Sequence, residues 1–427
     1  MYNVCINKNK QKHLRSDSMT NYTTKKRVFK QINTESETYK LNFIIDGAKL
    51  IESHSDNSYI CLSYQSTTKE TTCKCCKRSI RRFKAYNDIV LNYGYYGHKT
   101  ILLKIRQKKY HCEHCRKTTV ENLTNRIGKR QESNEVSQMI IKDLQSDMTY
   151  TAVAKRLSMS VSTIIRRFDS YRKGLSQAQE KKKVIAVGVD EVSMIKSRFN
   201  KFQFVVVDHQ TGNILDIIEG RKRQDVLDLL KKKYDEISFV SMDLWPTYQK
   251  AFKETFGNIV VIADRFHVVR IFMWAFSRSR IQLFKEHGIT TTKHWKILTC
   301  RGSKLNDNAL EKLDKIFDEI NMLKEVYEAK ELTFDVFKHQ SVEDFESSFS
   351  RLKEYVYEHD LKEFYSAIKT VENWYEEICN MFIYGHYSNG RSERVNVGLK
   401  RMKALVYGFR NHERTFDLAM HKLNKIA

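Results

Sequence analysis

VIAVGVDEVSMIK (184–196) opens the stretch that decides the fold, and VVIADR (260–265) closes it. Between them lie FQFVVVD (202–208), GNILDIIEG (212–220), RQDVLDLLKKKY (223–234), ISFVSM (237–242) and WPTYQKAFKETF (245–256). The short apolar runs, rich in Val, Ile and Phe and bounded by turn residues, read as strands. RQDVLDLLKKKY is apolar at helical spacing, and Pro246 suits the first turn of a second helix. His209-Gln210-Thr211-Gly212 makes a hairpin turn. The order is therefore strand, strand, strand, helix, strand, helix, strand, followed by a long helix from DRFHVVRIF. Antiparallel strands followed by strand–helix–strand crossovers give a mixed sheet with helices on its faces, in which the first and fourth strands can lie side by side. Asp190 belongs to the first of these strands, and Asp243 lies just after the fourth. A carboxylate ending a buried strand is costly unless a metal, a partner or solvent compensates it. Two such carboxylates on one sheet point to a shared cation.

Working outward, 427 residues suffice for two to four domains, and 41% apolar residues support real cores. Lys and Arg outnumber Asp and Glu by 24, a bias toward a polyanionic partner, nucleic acid or an anionic membrane. No run of about 18 apolar residues exists to span a bilayer. The first 18 residues contain no apolar core of a secretory signal. Nine cysteines, mostly scattered, fit a reducing cytosol better than a disulfide scaffold.

A basic polar arm is expected over 1–60; its apolar pieces LNFIIDGAKLI and SYICLSY are compatible with strands or a helix. A zinc ribbon is expected over 61–125. Cys73-Lys74-Cys75-Cys76 and Cys112-Glu113-His114-Cys115 are two Cys-x-x-Cys knuckles bracketing a Lys- and Arg-rich hairpin. Paired in this way, Cys73, Cys76, Cys112 and Cys115 make the closed four-thiolate set that Zn²⁺ favours, a structural site with no open position for a substrate. Cys75, His111 and His114 are possible substitutes within that set. Residues 126–180 carry a helical stripe (Val136, Met139, Ile140, Leu144) and then a helix-turn-helix pattern. Its first helix is Thr149–Leu157, its turn Ser158–Ser160, and its second helix Val161–Tyr171. Val153, Leu157, Val161, Ile164 and Ile165 are expected in its small core. Ser160, Ser162, Thr163, Arg166 and Arg167 are expected at double-stranded DNA. A two-helix packing element without DNA contact has the same short pattern.

The strands and their helices span 184–285; 286–383 reads as a helical insertion, its Leu, Phe, Tyr and Trp recurring at three and four. Residues 384–427 regain motif density: Ser388-Asn389-Gly390 is a turn and cap signal before a helix carrying Glu393, Asn396, Lys400, Arg401 and Lys403. Glu393, Asn396 and Lys400 share a face of it.

The succession of zinc ribbon, helix-turn-helix, GVDEVS, SMDLWPTY, ADRFHVV and SNGRSERVNVGLKRMKALVYGFRN resembles bacterial insertion-sequence transposases of the ISL-three family, from about Cys73 to the end. The resemblance implies a multidomain α/β protein with a ribonuclease-H-like mixed sheet interrupted by the helical insertion. It implies an Asp-Asp-Glu triad of Asp190, Asp243 and Glu393 on Mg²⁺ or Mn²⁺, cutting and joining DNA at element ends and target. Lys400, Arg401, Lys403 and Arg410 would hold phosphates nearby. Asp264 and His267 match a further family motif without an assigned role. A dimer or larger multimer on DNA, located with the bacterial nucleoid in the cytoplasm, is the expected assembly. The alternatives are a non-catalytic DNA-binding regulator and a ribonuclease-H-like nuclease that cuts without joining.

Overall fold

The computed structural model describes residues 45–121, 131–146, 148–176, 181–194, 202–338, 341–405 and 411–424. The arm up to residue 44, and Arg410, lie outside the described residues. Two compact units result: residues up to Asp88 with Lys104–Leu123, and Ile89–Leu103 with everything from Thr124 onward.

In the first unit the segment with two readings forms strands, β1 (Ala48–Ser55) and β2 (Tyr59–Ser66). Asp56 decides this locally, because its carboxylate accepts the Ser58 and Tyr59 amides at 2.6 and 2.8 Å and closes a tight turn. Along β2 every second residue, Ile60, Leu62 and Tyr64, is buried, the period of a half-covered strand. Two short strands, β3 (Thr71–Thr72) and β4 (Ser79–Ile80), flank the first knuckle. The long strands β5 (Phe83–Tyr96) and β6 (Lys99–His111), of which Phe83–Asp88 and Lys104–His111 belong to this unit, and the short β7 (Thr118–Val120) complete the sheet, ordered β1-β2-β6-β5 with β7 on β6.

The second unit contains α1 (Asn134–Gln145), α2 (Tyr150–Arg156) and α3 (Val161–Ser176). Ser133 and Thr149 cap the first two, and the Ser160 hydroxyl accepts the Thr163 amide at 3.2 Å. Val153, Leu157, Ile164 and Phe168 are fully buried among these helices. Val161 is not with them: it is 38% exposed, because as the first residue of α3 it turns away from the stripe that Ile164 and Phe168 continue.

A small parallel pair, β8 (Lys182–Lys183) with β12 (Tyr234–Glu236), lies beside the main sheet strands β9 (Ala186–Val192), β10 (Gln203–Asp208), β11 (Ile214–Glu219), β13 (Phe239–Met242) and β14 (Val260–Ala263). Their order is β11-β10-β9-β13-β14, with β10 antiparallel to both neighbours and β9, β13 and β14 mutually parallel. Alternation sorts the side chains. Val187, Val189, Phe204 and Val206 pack under α4 (Arg223–Lys233) and α5 (Pro246–Phe256). Val192, Val205, Val207 and Ile214 face α13 (Gly390–Leu405) and α14 (His412–Leu423). Between those segments run α6 (Arg265–Glu286), α7 (Trp295–Thr299), α8 (Asp307–Glu319), α9 (Leu323–Val336), α10 (Val342–Glu358), α11 (Lys362–Asn373) and α12 (Tyr375–Ile383). They close around an aromatic core that includes Phe272, Phe276, Phe345 and Phe364. No helix among the described residues is long and apolar enough to cross a membrane.

Candidate functional site

The strand register builds the site. Ser241 of β13 pairs with Gly188 of β9, and Met242 pairs with Ala263 of β14. Continuing each ladder brings Asp243 level with Asp190 on one side and Asp264 on the other. Three aspartates therefore form a row across the carboxyl ends of three adjacent parallel strands, pointing to one face. Asp190 and Asp243 were expected as neighbours; Asp264 joins them because VVIAD ends as FVSMD does.

Each member has a different environment. Asp190 accepts the Glu191 amide at 2.6 Å and the side-chain amide of Asn396 at 2.6 Å. Burial, and after it the nearby Asp243 carboxylate, pushes the Asp190 carboxyl up to about 6. Asp264 caps α6 by accepting the Phe266 amide at 3.0 Å, and the Asn389 side-chain amide reaches it at 3.4 Å. Burial raises this carboxyl too. His267 spans the remaining gap, with Nδ1 2.9 Å from Asp243 and Nε2 3.6 Å from Asp264. Arg270 also donates to Nδ1, at 2.6 Å. One nitrogen cannot accept from Arg270 and donate to Asp243 together, so Nδ1 serves one of these two partners at a time. Asp243 keeps an unmet need: its Oδ1 is buried with no hydrogen-bond partner.

That orphaned oxygen, beside a carboxyl that resists ionising, is what a hard divalent cation would relieve. Asp190 and Asp243 therefore suit Mg²⁺ or Mn²⁺. The ligand atoms of Asp243, Asp264 and His267 also lie within 4.8 Å of one another.

Helix α13 covers the row. Ser392 and Asn396 are buried on its inner face, and Asn389, the residue just before its first turn, is buried with them. Gly188 makes the approach possible, since a Cβ there would sit 2.4 Å from the Ser392 hydroxyl. Next to it, His209 bonds Ser241 at 2.8 Å, and burial lowers its pKa to about 4, so the ring is neutral. Glu393, the expected third acid, is exposed one turn before Asn396 and has no ion-pair partner among the described residues. Lys400 and Arg401 are exposed further along the helix, whereas Lys403 donates to the Ser193 carbonyl at 2.6 Å. Asn396 was expected on one face with Glu393 and Lys400, but it is buried while they are exposed; Asn389 was expected only within a turn and cap, and neither was given a role at the aspartates.

On α3, Ser160, Ser162 and Arg166 are exposed, and Thr163 is half-buried and bonded to Ser160 and Arg166. Arg167 differs, gripping the buried Glu132 carboxylate through two nitrogens, one at 3.0 Å.

The cysteine cluster belongs to the first unit. The thiols of Cys73, Cys76, Cys112 and Cys115 lie within 4.8 Å of one another, with Cys73–Cys115 at 3.5 Å and Cys76–Cys112 at 3.6 Å. Those separations are far beyond a disulfide bond. The two knuckles are built alike: Lys77 and Arg116, each following a second cysteine, take φ of 61° and 57°. Backbone amides of Cys75 and Cys76 point at the Cys73 sulfur and pull its thiol down to about 6. Cys75 is exposed and, like His111 and His114, stands outside the group. Four soft donors without an open position match structural Zn²⁺.

Among solved structures, the Drosophila P element transposase strand transfer complex is similar at 10% identity over 68% of this chain and 91% of that one, with a TM-score of 0.36. Nothing further rests on so loose a likeness. No curated protein matches. A family model described as a transposase, of DDE type and ISL3 kind, matches residues 187–418. That segment exceeds half the chain and contains the aspartate row, its histidine and most of α13 and α14; the chain belongs to the ISL3 family of DDE transposases.

Proposed function

We propose that the chain binds the terminal inverted repeats of an insertion sequence, and that it cuts and joins DNA there through Asp190, Asp243 and Glu393. The observation that carries this is the orphaned Asp243 oxygen beside Asp190, at the ends of parallel strands within the family-matched segment. The strand order, third-second-first-fourth-fifth, supports a ribonuclease-H-like core.

Asp190 and Asp243 would hold Mg²⁺ or Mn²⁺, with Glu393 as the third ligand from α13. A pair of such ions supplies an activated water or 3′-hydroxyl and stabilises the departing 3′-oxygen. The chain's own part is positional. The strands fix two carboxylates in register, His267 braces Asp243, and α13 carries Glu393 past them with Lys400 and Arg401 beyond. Since either water or a DNA hydroxyl can attack at one such site, the same residues serve cleavage and strand transfer. DNA would be held by the basic surface that the excess of 24 positive charges provides, by the zinc ribbon, and by α3 as the recognition helix of a helix-turn-helix. Action on paired ends by a dimer or larger multimer completes the proposal.

Joining is tested with pre-cut element ends bearing 3′-hydroxyls, a target plasmid and Mg²⁺. Joined products are expected. Cutting without joining would make the protein a nuclease, and binding without either would make it a regulator. The neighbouring arginines of α3 should separate cleanly. Arg166→Ala is expected to weaken binding to element ends and lower the salt slope by about 1, with unchanged thermal unfolding. Arg167→Ala strands the buried Glu132 charge and should cost about 3–5 kcal/mol of stability. Equal unfolding temperatures for the two variants would contradict that division.

A further inference from the structure

Helix α13 meets the aspartate row through carboxamides. Asn396 is 7% exposed and donates to Asp190 at 2.6 Å; Asn389 is 2% exposed and reaches Asp264 at 3.4 Å. These are the two outer members of the row. The step of seven positions from Asn389, just before α13, to Asn396 is two helical turns, a rise of about 10.5 Å. Two interstrand spacings, the distance from the first to the third strand of the row, come to roughly 9.6 Å. One helix can therefore address both flanking carboxylates while leaving the middle one, Asp243, with its unpaired Oδ1. Asn396 itself retains a buried Oδ1 with no partner. An amide that merely filled space would not be held in so polar a position, since each unpaired buried acceptor is costly.

We infer that Asn396 is a positioning residue for the metal-binding carboxylates, an inference resting on the assignment of Asp190 as a ligand. Its N–H fixes the rotation of the Asp190 carboxylate and offsets the repulsion from Asp243. Its free carbonyl oxygen is left as an acceptor for a cation-bound water. Because Asn396 and Glu393 are one turn apart, the same contact sets where Glu393 stands relative to Asp190. Asn389 plays the corresponding part at Asp264, more weakly given its longer bond.

The test measures Mn²⁺ binding to the full chain, without DNA, from the loss of the free-ion electron paramagnetic resonance signal, alongside the Mg²⁺ dependence of cleavage. Asn396→Ala is expected to weaken Mn²⁺ binding by about 10–100-fold, the usual range for a residue that orients a metal ligand, and to raise the Mg²⁺ requirement in parallel. Ser392→Ala, which removes an unpaired hydroxyl from the same helix face, should leave Mn²⁺ binding at the wild-type value. Should Asn396→Ala fail to fold, Asn396→Leu keeps the volume and removes both polar atoms. Wild-type Mn²⁺ affinity in a folded Asn396 variant overturns the inference, even if its unfolding temperature falls. Asp190→Ala separates this from the reading beneath it. If that variant still cleaves, the carboxylate assignment itself is lost; if it is inactive while Asn396 variants bind Mn²⁺ normally, only the role of Asn396 is lost.

Discussion

Asp243→Ala is expected to retain binding to element ends and to lose cleavage by at least about 10³-fold. The size follows from what the residue contributes. A metal ligand at a phosphoryl-transfer site accounts for several kcal/mol of transition-state stabilisation, and about 4 kcal/mol is about 10³ in rate. Binding should survive because Ser160, Ser162 and Arg166, the α3 residues assigned to DNA contact, share no hydrogen bond or ion pair with Asp243 among the described residues. The fold should survive as well: among the described residues Oδ1 has no donor to lose, and Oδ2 gives up only His267, whose Nε2 already lies 3.6 Å from Asp264. Gel-shift titration and a cleavage assay on one preparation measure both quantities. Cleavage by Asp243→Ala in Mg²⁺ at more than a tenth of the wild-type rate would remove it from the site.

Zinc removal is expected to have the other large effect, confined to a different property. The small core around the knuckles consists of Cys73, Ile80, Tyr110 and Cys112, with Cys76 and Cys115 packed against it. Two of its four buried members are thus the proposed ligands themselves. A patch this small cannot hold two knuckles and their left-handed Lys77 and Arg116 without a cross-link. Structural zinc contributes apparent binding energies of about 10–16 kcal/mol at neutral pH, which in such units is folding energy. Chelation, or Cys112→Ser, should release one zinc per chain and abolish amide-exchange protection along the β6–β7 ladder from Lys109 to Val120. Far lower protection there with β9 and β13 still protected is the expected pattern; a protected ladder in metal-free protein would exclude a zinc-dependent fold.

The sequence disclosed what periodicity and punctuation encode. The apolar runs of 184–265 became the five main-sheet strands and two helices expected, because the strand runs were short, β-branched and closed by turn residues; the short β12 (Tyr234–Glu236), where the first of those helices was expected to end, was not foreseen. Pairing the two knuckles needed only their spacing around a hairpin. What stayed hidden depends on tertiary register. That Asp264 stands level with Asp243 follows from Met242 pairing with Ala263, a ladder that no local pattern states. Arg166 and Arg167 were indistinguishable as neighbours on a basic helix, and only the position of Glu132, 35 residues earlier, divides them. Val161 misled although the helix start was read correctly: the first residue has no preceding turn to pack with and stands 38% exposed. Glu393 and Asn396 were read as sharing a face, but Asn396 alone of the two is buried against Asp190, because that depends on how α13 settles over Gly188.

The bond from Asn396 to Asp190 joins residues 206 positions apart. Chains are made from the amino end, and at ordinary rates of roughly 5–20 residues per second the interval between those two residues is tens of seconds. Throughout that interval the strand carrying Asp190 has neither its amide partner nor the helix that bears Glu393. If the zinc ribbon and α3 hold DNA as proposed, both are made before the strands that carry the aspartates. On that reading, the carboxylate row is laid down by the strands first and is completed only when α13 is made and closes over it.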